Sequence, residues 1–387
     1  MRAEGAHGNN VRVPETPERL RVVLLDSIPV WGGGQKWMLT TAQALTRRGH
    51  FVALACAAGS VLEQRTREAG LPLWTAAVGR FGWRLGSSLR LARFLRRERI
   101  ECVIGNVGRD MRLGVVACAL SGAKLLQRRG ILRPVPKDPW SRWLYGTRVR
   151  LVIVDSEALR QHIVASAPYL EGRVVLLPNY IDTGKALGGD GAKLRKELGI
   201  APDAPLVGAV GRLAPMKGFE HLLRAWPLVI EQQPAARLVV FGGGELQGVL
   251  ADEAARLGVA SSVTLAGFRP DPENLLEALD VFVLPSVKDE TVSNAVLEAM
   301  AHGKPVVVTD YAGGIAEPVK ARGAGRVVPV GDARALGATL AALLSDRAAR
   351  ERMGRAARET IEEEHSLERS MGMLEGLLRG VGGWGGP

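Results

Sequence analysis

The chain has 387 residues, 47% hydrophobic and 24% charged, which is enough apolar material for two domains with full cores and unlike a disordered chain. No run reaches the ~18 consecutive apolar residues of a membrane span. Net charge is +11 and uneven: residues 1–180 hold 28 Lys and Arg against 13 Asp and Glu, the remainder 23 against 27. GC-rich codon usage, which favours arginine, accounts for such a first half. So does a surface for anionic lipid, nucleic acid or an acidic acceptor. Cys56, Cys102 and Cys118 have neither disulfide-framework nor zinc spacing; each lies in or beside an apolar run, as buried thiols in a reducing compartment do.

Residues 1–19 are polar and lack the apolar stretch of a signal peptide; they read as a flexible leader on a cytoplasmic protein. Residues 20–25 form a first strand, followed by a turn through Gly32-Gly33-Gly34 and a helix from about 36 to 48. Strand, glycine-rich turn and helix open a nucleotide-binding βα unit. The pattern is not G-x-G-x-x-G, however, and no acid follows the next strand, 51–56. The turn is either a loop that lets backbone approach a ligand across a cleft, at Gly33 and Gly34, or a purely structural one. Segment 84–99 sets six arginines around an apolar stripe of Leu85, Leu89, Ala92, Phe94 and Leu95. It suits a crossover helix on a sheet and equally a helix lying on an anionic membrane. Strands follow at 102–104, 123–126 and 151–154. Segment 128–150 interleaves Trp140, Trp143 and Tyr145 with basic residues, which fits an interfacial or nucleic-acid surface or an irregular connection with its Trp residues packed inward.

Strand 174–177 closes a first domain over 20–182, and the glycine-rich, polar stretch 183–204 reads as a linker. A second domain, 205–365, opens with a strand at Leu206 that runs into Gly211-Arg212-Leu213 and Lys217-Gly218. Strands at 237–241, 263–265, 281–284 and 305–309 then alternate with helices. The fold class is therefore α/β, with two tandem Rossmann-like, doubly wound parallel-sheet domains and a cleft between them. The tail, 366–387, is a helix that can pack back on the first domain, with a frayed glycine-rich end. Between strands 281–284 and 305–309, Val292, Val296, Leu297 and Met300 form one helical face, stopped by Gly303 and Pro305. On a single helix Glu290 and Glu298 stand about 12 Å apart. That is too far for one acid/base pair but suits the two ends of an elongated ligand. Free backbone N–H groups near Val292 and Ser293 make an anion site between them.

In this order the motifs resemble those of the group-1 glycosyltransferases (glycosyltransferase family 4), a retaining family with the two-domain GT-B fold. The resemblance rests on Gly211-Arg212-Leu213 with Lys217-Gly218, on Gly242-Gly243-Gly244 and on Val263-Thr264-Leu265-Ala266-Gly267-Phe268. Glu290 through Glu298 matches the family's E-x7-E motif and continues into Ala299-Met300-Ala301 and Gly303-Lys304-Pro305; Gly313-Gly314 and Glu317 also match. The first domain matches in outline.

The resemblance implies a nucleotide-sugar donor, UDP- or GDP-linked, as co-substrate. Arg212 and Lys217 would hold its diphosphate and stabilise it as it leaves. Glu298 would bind the ribose hydroxyls and Glu290 would touch the sugar near the reacting carbon, which makes Glu290, Arg212 and Lys217 the catalytic candidates. Gly33, Gly34, Gly243, Gly267 and Phe268 would line the donor, the last two beside the base. Thr291, Val292 and Ser293 would give N–H groups to the distal phosphate. No cofactor and no metal is expected: Asp-x-Asp is absent, the histidines lack ligand spacing, and two cations with a helix end can replace a divalent ion.

Many members carry a first-domain His after the fourth strand. Gln127-Arg128-Arg129-Gly130 stands there instead, so Arg129, with Asn106 and Trp37, is the acceptor-side candidate. The family's front-face mechanism, in which the leaving phosphate assists deprotonation of the acceptor, needs no dedicated base. Expected partners are a glycan, lipid-linked or phosphorylated acceptor and an anionic membrane surface against the basic domain. A cytoplasmic protein peripheral to the inner membrane face, in cell-envelope or polysaccharide synthesis, follows. No nucleic acid is expected, because no recognition motif accompanies the charge. Two alternatives are a GT-B nucleotide-sugar 2-epimerase, whose extra acid/base residues are not found, and a non-catalytic nucleotide-sugar-binding protein. The intact set Arg212, Lys217, Glu290 and Glu298 speaks against the latter.

Overall fold

The computed structural model describes residues 19–79, 82–83, 86–186, 188–288, 290–311 and 313–382. Apart from Arg19, the expected leader lies outside them, as do Leu85 and residues 383–387 of the tail. In chain order the first strands are β1 (Arg21–Asp26), β2 (Phe51–Ala57), β3 (Leu73–Ala76), a short antiparallel ribbon of β4 (Val78–Gly79) and β5 (Gly82–Trp83), β6 (Cys102–Gly105), β7 (Lys124–Arg129), β8 (Val149–Val154) and β9 (Val174–Leu176). Without the ribbon they form a parallel sheet ordered β3-β2-β1-β6-β7-β8-β9. The second set is β10 (Leu206–Val210), β11 (Arg237–Phe241), β12 (Val263–Leu265), β13 (Val281–Leu284), β14 (Val306–Thr309) and β15 (Gly325–Val328). These form a second parallel sheet ordered β12-β11-β10-β13-β14-β15. Each sheet grows outward from its first strand and then reverses, at β1/β6 and at β10/β13. Ligands of doubly wound sheets bind at the carboxyl ends of the strands flanking such reversals.

Both faces of each sheet are covered, so the central strands read as unbroken apolar runs. In β13 and β14 every residue is buried. Phe282, Leu284, Val306 and Val308 face one side, and Val281, Val283 and Val307 the other. β3 and β15 were not expected; both are edge strands only partly buried, so neither shows as an unbroken apolar run.

One open alternative is decided and two expectations change. The arginine-rich helix spans Ser87–Arg97 and buries Leu91, Ala92 and Leu95 in the first core, while Leu89 stays exposed. Its stripe is spent on the sheet, so it is a crossover helix. Of the expected linker, the part from Gly191 packs on the second domain: helix Gly191–Glu197 buries Leu194 beside Leu275 and Leu276. The Arg195 guanidinium donates to the Ala278 carbonyl at 2.7 Å. The second change concerns the acidic helix, which is Asn294–Ala301. Glu290 precedes it on a loop, so helical rise does not set its distance from Glu298.

The chain crosses between domains twice, side by side. Ile181 N donates to His365 O (2.9 Å) and Leu367 N to Ile181 O (3.1 Å). The last helix, Leu367–Gly382, then packs Met371, Leu374 and Leu378 into the first domain's core beside Leu24, Met38 and Leu45. Arg48 holds its outer side through Glu368 (2.6 Å) and Glu375.

Candidate active site

The carboxyl ends of β10 and β13 place the central charges. After β10 the chain turns through Gly211 and Arg212 to a short turn at Pro215–Lys217. Gly218 follows with φ +65°, where a Cβ would collide with the Pro285 carbonyl; only glycine lets these two strand ends meet this closely. Lys217 Nζ pairs with Glu290 Oε1, and Ser286 Oγ donates to Glu290 Oε2. Arg212 stands exposed beside them, its guanidinium touching only the Met216 sulfur at 3.6 Å among the described residues. Gly243 lies alongside: its carbonyl accepts from Leu213 N at 3.0 Å, and a Cβ on it would stand 3.9 Å from the Phe268 Cβ. Phe268 is 75% exposed, next to Gly267 at φ +69°. The structure therefore brings Arg212, Lys217, Glu290, Gly243, Gly267 and Phe268 to one edge of the second sheet.

Two helix N-termini face this edge. Ser293 occupies the N-cap of Asn294–Ala301 but its hydroxyl makes no capping bond, and the first turn holds no acid. Gly32, at the N-cap of helix Gly33–Arg47, has no side chain to cap with, and that first turn also lacks an acid. Uncapped first-turn N–H groups and the positive ends of two helix dipoles favour an anion. Among the described residues no acceptor takes the N–H groups of Thr291, Val292 or Ser293. The two ends are close: a Cβ on Gly33 would stand 3.3 Å from Asn294 Nδ2. Gly34 packs closer still to Asn106, 2.9 Å from its Nδ2 by the same measure.

Below this opening the domains are joined by polar contacts that sequence reasoning missed. Thr291 Oγ1 lies 2.7 Å from Asp155 Oδ2 and 3.1 Å from Gly130 O. Asn179 Nδ2 donates to Val292 O (3.1 Å), while its Oδ1 accepts from Arg128 (3.0 Å). Arg128 in turn lies 3.8 Å from Asp155. Burial raises the Asp155 carboxyl above its usual range, and Arg128 and the Thr291 hydroxyl oppose that rise. Asp26, at the end of β1, accepts from Ile28 N (2.7 Å), Gln35 Nε2 (2.6 Å) and Asn106 Nδ2 (2.9 Å), which fixes the glycine turn. A lone Asp after a strand gave no signal of that role.

Two acceptor-side candidates have close partners of their own. Trp37 is 4% exposed, with Arg128 5.3 Å above its ring and Tyr180 beside it, and it lines the cavity next to Lys36 and Glu298. Arg129 turns onto its own loop, donating to Arg133 O (2.7 Å) and reaching the Tyr145 hydroxyl at 3.4 Å. Glu298, further along its helix, is held across the cleft by Lys36. A cavity of about 590 Å³ opens beside that pair, lined by Lys36, Tyr180, Asn274, Asn294, Glu298 and His302 among others. Arg212, Lys217 and Glu290 do not line it. Glu317 faces a separate groove between the domains. No group of three or more His, Cys, Asp or Glu side chains among the described residues is arranged to hold a metal ion.

Two tandem doubly wound domains facing each other across a cleft make the GT-B fold. The glycosyl transferases group 1 model matches residues 190–360 and the glycosyltransferase family 4 model residues 31–185. The chain belongs to the group-1 glycosyltransferases. It is 32% identical over 231 residues to the D-inositol 3-phosphate glycosyltransferase of Nocardia farcinica, covering 57% of this chain and 50% of that one. With the lipopolysaccharide core biosynthesis glycosyltransferase LpsE of Rhizobium meliloti it shares 32% over 196 residues, 50% of this chain and 54% of that one. The matches span about half the length of these curated relatives. Among solved structures, Anabaena Alr3699/HepE in complex with UDP-glucose superposes with a TM-score of 0.81 at 20% identity, over 94% of this chain and 100% of that one. A Rickettsia africae glycosyltransferase gives 0.84 at 15%, over 94% and 98%. At these identities the structures establish the fold.

Proposed function

We propose that the protein transfers a sugar from a UDP- or GDP-sugar to a glycan or lipid-linked glycan acceptor, with retention of configuration, in building a cell-envelope or polysaccharide product. The observation that carries this is the convergence of Arg212, Lys217 and Glu290 at the β10/β13 reversal, opposite two uncapped helix N-termini. The diphosphate would lie between the cations and the free N–H groups of Thr291–Ser293. As the bond from the sugar carbon to the phosphate oxygen breaks, charge grows on that oxygen. Arg212 and Lys217, already in place, would stabilise it without reorganising. Lys217 shares its charge with Glu290, so an arriving diphosphate competes for Lys217 and leaves the Glu290 carboxylate free to turn toward the sugar. The acceptor hydroxyl can pass its proton to the departing phosphate on the same face, which requires no protein base. Two cations and two helix ends supply the positive charge, so the reading includes no metal. Both relatives are named as glycosyltransferases, one acting in lipopolysaccharide core biosynthesis, and HepE was solved with UDP-glucose; these support the donor class and an envelope role.

A panel of UDP-, GDP- and ADP-sugars scored by thermal shift tests the reading. One nucleotide class should raise the melting temperature in a concentration-dependent way. Arg212→Ala should lose that shift and about 10²–10³ of kcat. If no nucleotide sugar stabilises the protein and Arg212→Ala behaves as wild type, the reading fails.

A further inference from the structure

The connection from β7 to β8 carries a surface that transfer chemistry does not use. It leaves the cleft at Gly130, whose carbonyl lies against Thr291, and reaches the short helix Pro139–Trp143. Asp138 caps that helix, its carboxylate accepting from Ser141 N at 3.0 Å and Ser141 Oγ at 2.6 Å. One wide turn, Leu144–Arg148, leads into β8. The inner side is anchored by buried Leu144 and Tyr145. The outer side presents Trp140 and Trp143, three residues apart on one helical face, 43% and 40% exposed, with ring centroids 5.0 Å apart. Tyr169, 40% exposed, lies within electrostatic reach of Arg142 and Arg173.

Cations surround the indoles. The Arg148 guanidinium sits 5.2 Å above the Trp143 ring. Lys137, Arg142 and Arg148 are exposed and Arg150 half-buried, while the half-buried Arg173 guanidinium is spent on the carbonyls of Gly146, Val149 and Tyr169. Among the described residues none of Lys137, Arg142, Arg148 and Arg150 forms an ion pair, whereas Arg224, Arg256, Arg322 and Arg347 of the second domain do. Paired exposed Trp residues with a collar of unpaired cations match the boundary of an anionic bilayer, where indole rings sit among headgroups and cations meet phosphate. A nucleic acid would need open ring faces for its bases, and Trp143 already carries Arg148 over its ring and Trp140 beside it.

We propose that this Trp140–Trp143 face, with Lys137, Arg142, Arg148 and Arg150, docks the first domain on an anionic lipid bilayer at headgroup depth. Docked there, the protein would meet a lipid-borne acceptor with the segment that also touches the cleft. Among the described residues no helix is long and apolar enough to cross a membrane, so the contact is peripheral. The link to a lipid-borne acceptor rests on the transfer reading; the docking itself does not, and vesicle binding is measured without any donor.

The test is co-sedimentation of the full chain with vesicles of phosphatidylcholine alone or mixed with phosphatidylglycerol, with Trp fluorescence read on the bound protein. Binding should appear with the anionic vesicles, shift Trp emission to the blue and weaken as salt rises. Trp140→Ala with Trp143→Ala should abolish the blue shift and weaken binding at least tenfold. Arg142→Glu with Arg148→Glu should weaken it by more, since each cation lost near such a surface is about a fivefold effect. Both double variants should melt as wild type and keep nucleotide-sugar binding, because all four side chains project from the surface. Absence of vesicle binding overturns the proposal. So does binding that ignores lipid charge and salt, binding that survives both double variants, or a single-stranded oligonucleotide binding more tightly than vesicles.

Discussion

Glu298 is where a single contact decides how the cleft receives its ligand. In the structure Lys36 holds it from the other domain, with the lysine side chain half exposed and the carboxylate 14% exposed. If Glu298 binds ribose hydroxyls, the two compete. Lys36→Ala should then tighten nucleotide-sugar binding about two- to fivefold by calorimetry, the worth of a partly exposed pair. Weaker binding in the variant would instead make Lys36 a direct ligand contact. The charges themselves were legible: Arg212, Lys217, Glu290 and Glu298 stand in motifs whose spacing carries chemistry. Their partners were not. Lys36 and Glu298 lie 262 residues apart, and nothing local marks a Lys in the first turn of a helix as reaching the opposite domain. The partners of Trp37 and Arg129 were hidden for a related reason. Adjacency in sequence to a glycine turn or a strand end does not settle whether a side chain points to the cleft or into the core.

At the level of elements, the two crossings beside Ile181 and His365 are bonded into one connection between the domains. His365 Nδ1 lies 2.7 Å from the Asn179 carbonyl in a buried site, and burial lowers its pKa from the ordinary 6.5, with the hydrogen bond and Glu364 opposing. Below about pH 6.5 the unfolded chain therefore binds more protons at this site than the folded one, so its contribution to stability is present above that pH and is lost as pH falls. The melting temperature of wild type should fall relative to His365→Gln between about pH 7 and pH 5, where the imidazole titrates. Parallel curves for the two proteins would contradict that assignment. The strands and helices of the second domain were readable because its buried runs are long and bounded by glycine. The start of helix Asn294–Ala301 was not, since the loop from Ser286 to Ser293 continues the apolar spacing without continuing the backbone.

For the molecule as a whole, the last helix ties the second domain's end to the first domain's core. Leu374 is fully buried there, and Leu374→Ala should destabilise the protein by about 3 kcal/mol. One cooperative transition moved to lower denaturant would show that the helix is integral to the first domain. A separate early transition with the main one unmoved would show that it is not. Two tandem sheets were legible from alternation alone, and the tail also read as a helix able to pack back on the first domain; the side-by-side crossings that bring it there were not legible, because residues 181 and 365 carry no local mark of their pairing. That closure holds the cationic edge of β10 and β13 opposite the glycine turn, on which the account depends. Release of nucleoside diphosphate from a UDP- or GDP-sugar, followed by NMR with a membrane-lipid extract as acceptor, tests it most directly. The account predicts nucleoside diphosphate accumulating together with a glycosylated product that keeps the donor's anomeric configuration, and a loss of about 10²–10³ in rate for Arg212→Ala. Inverted configuration in the product, or no release from either donor with Arg212→Ala indistinguishable from wild type, would contradict it.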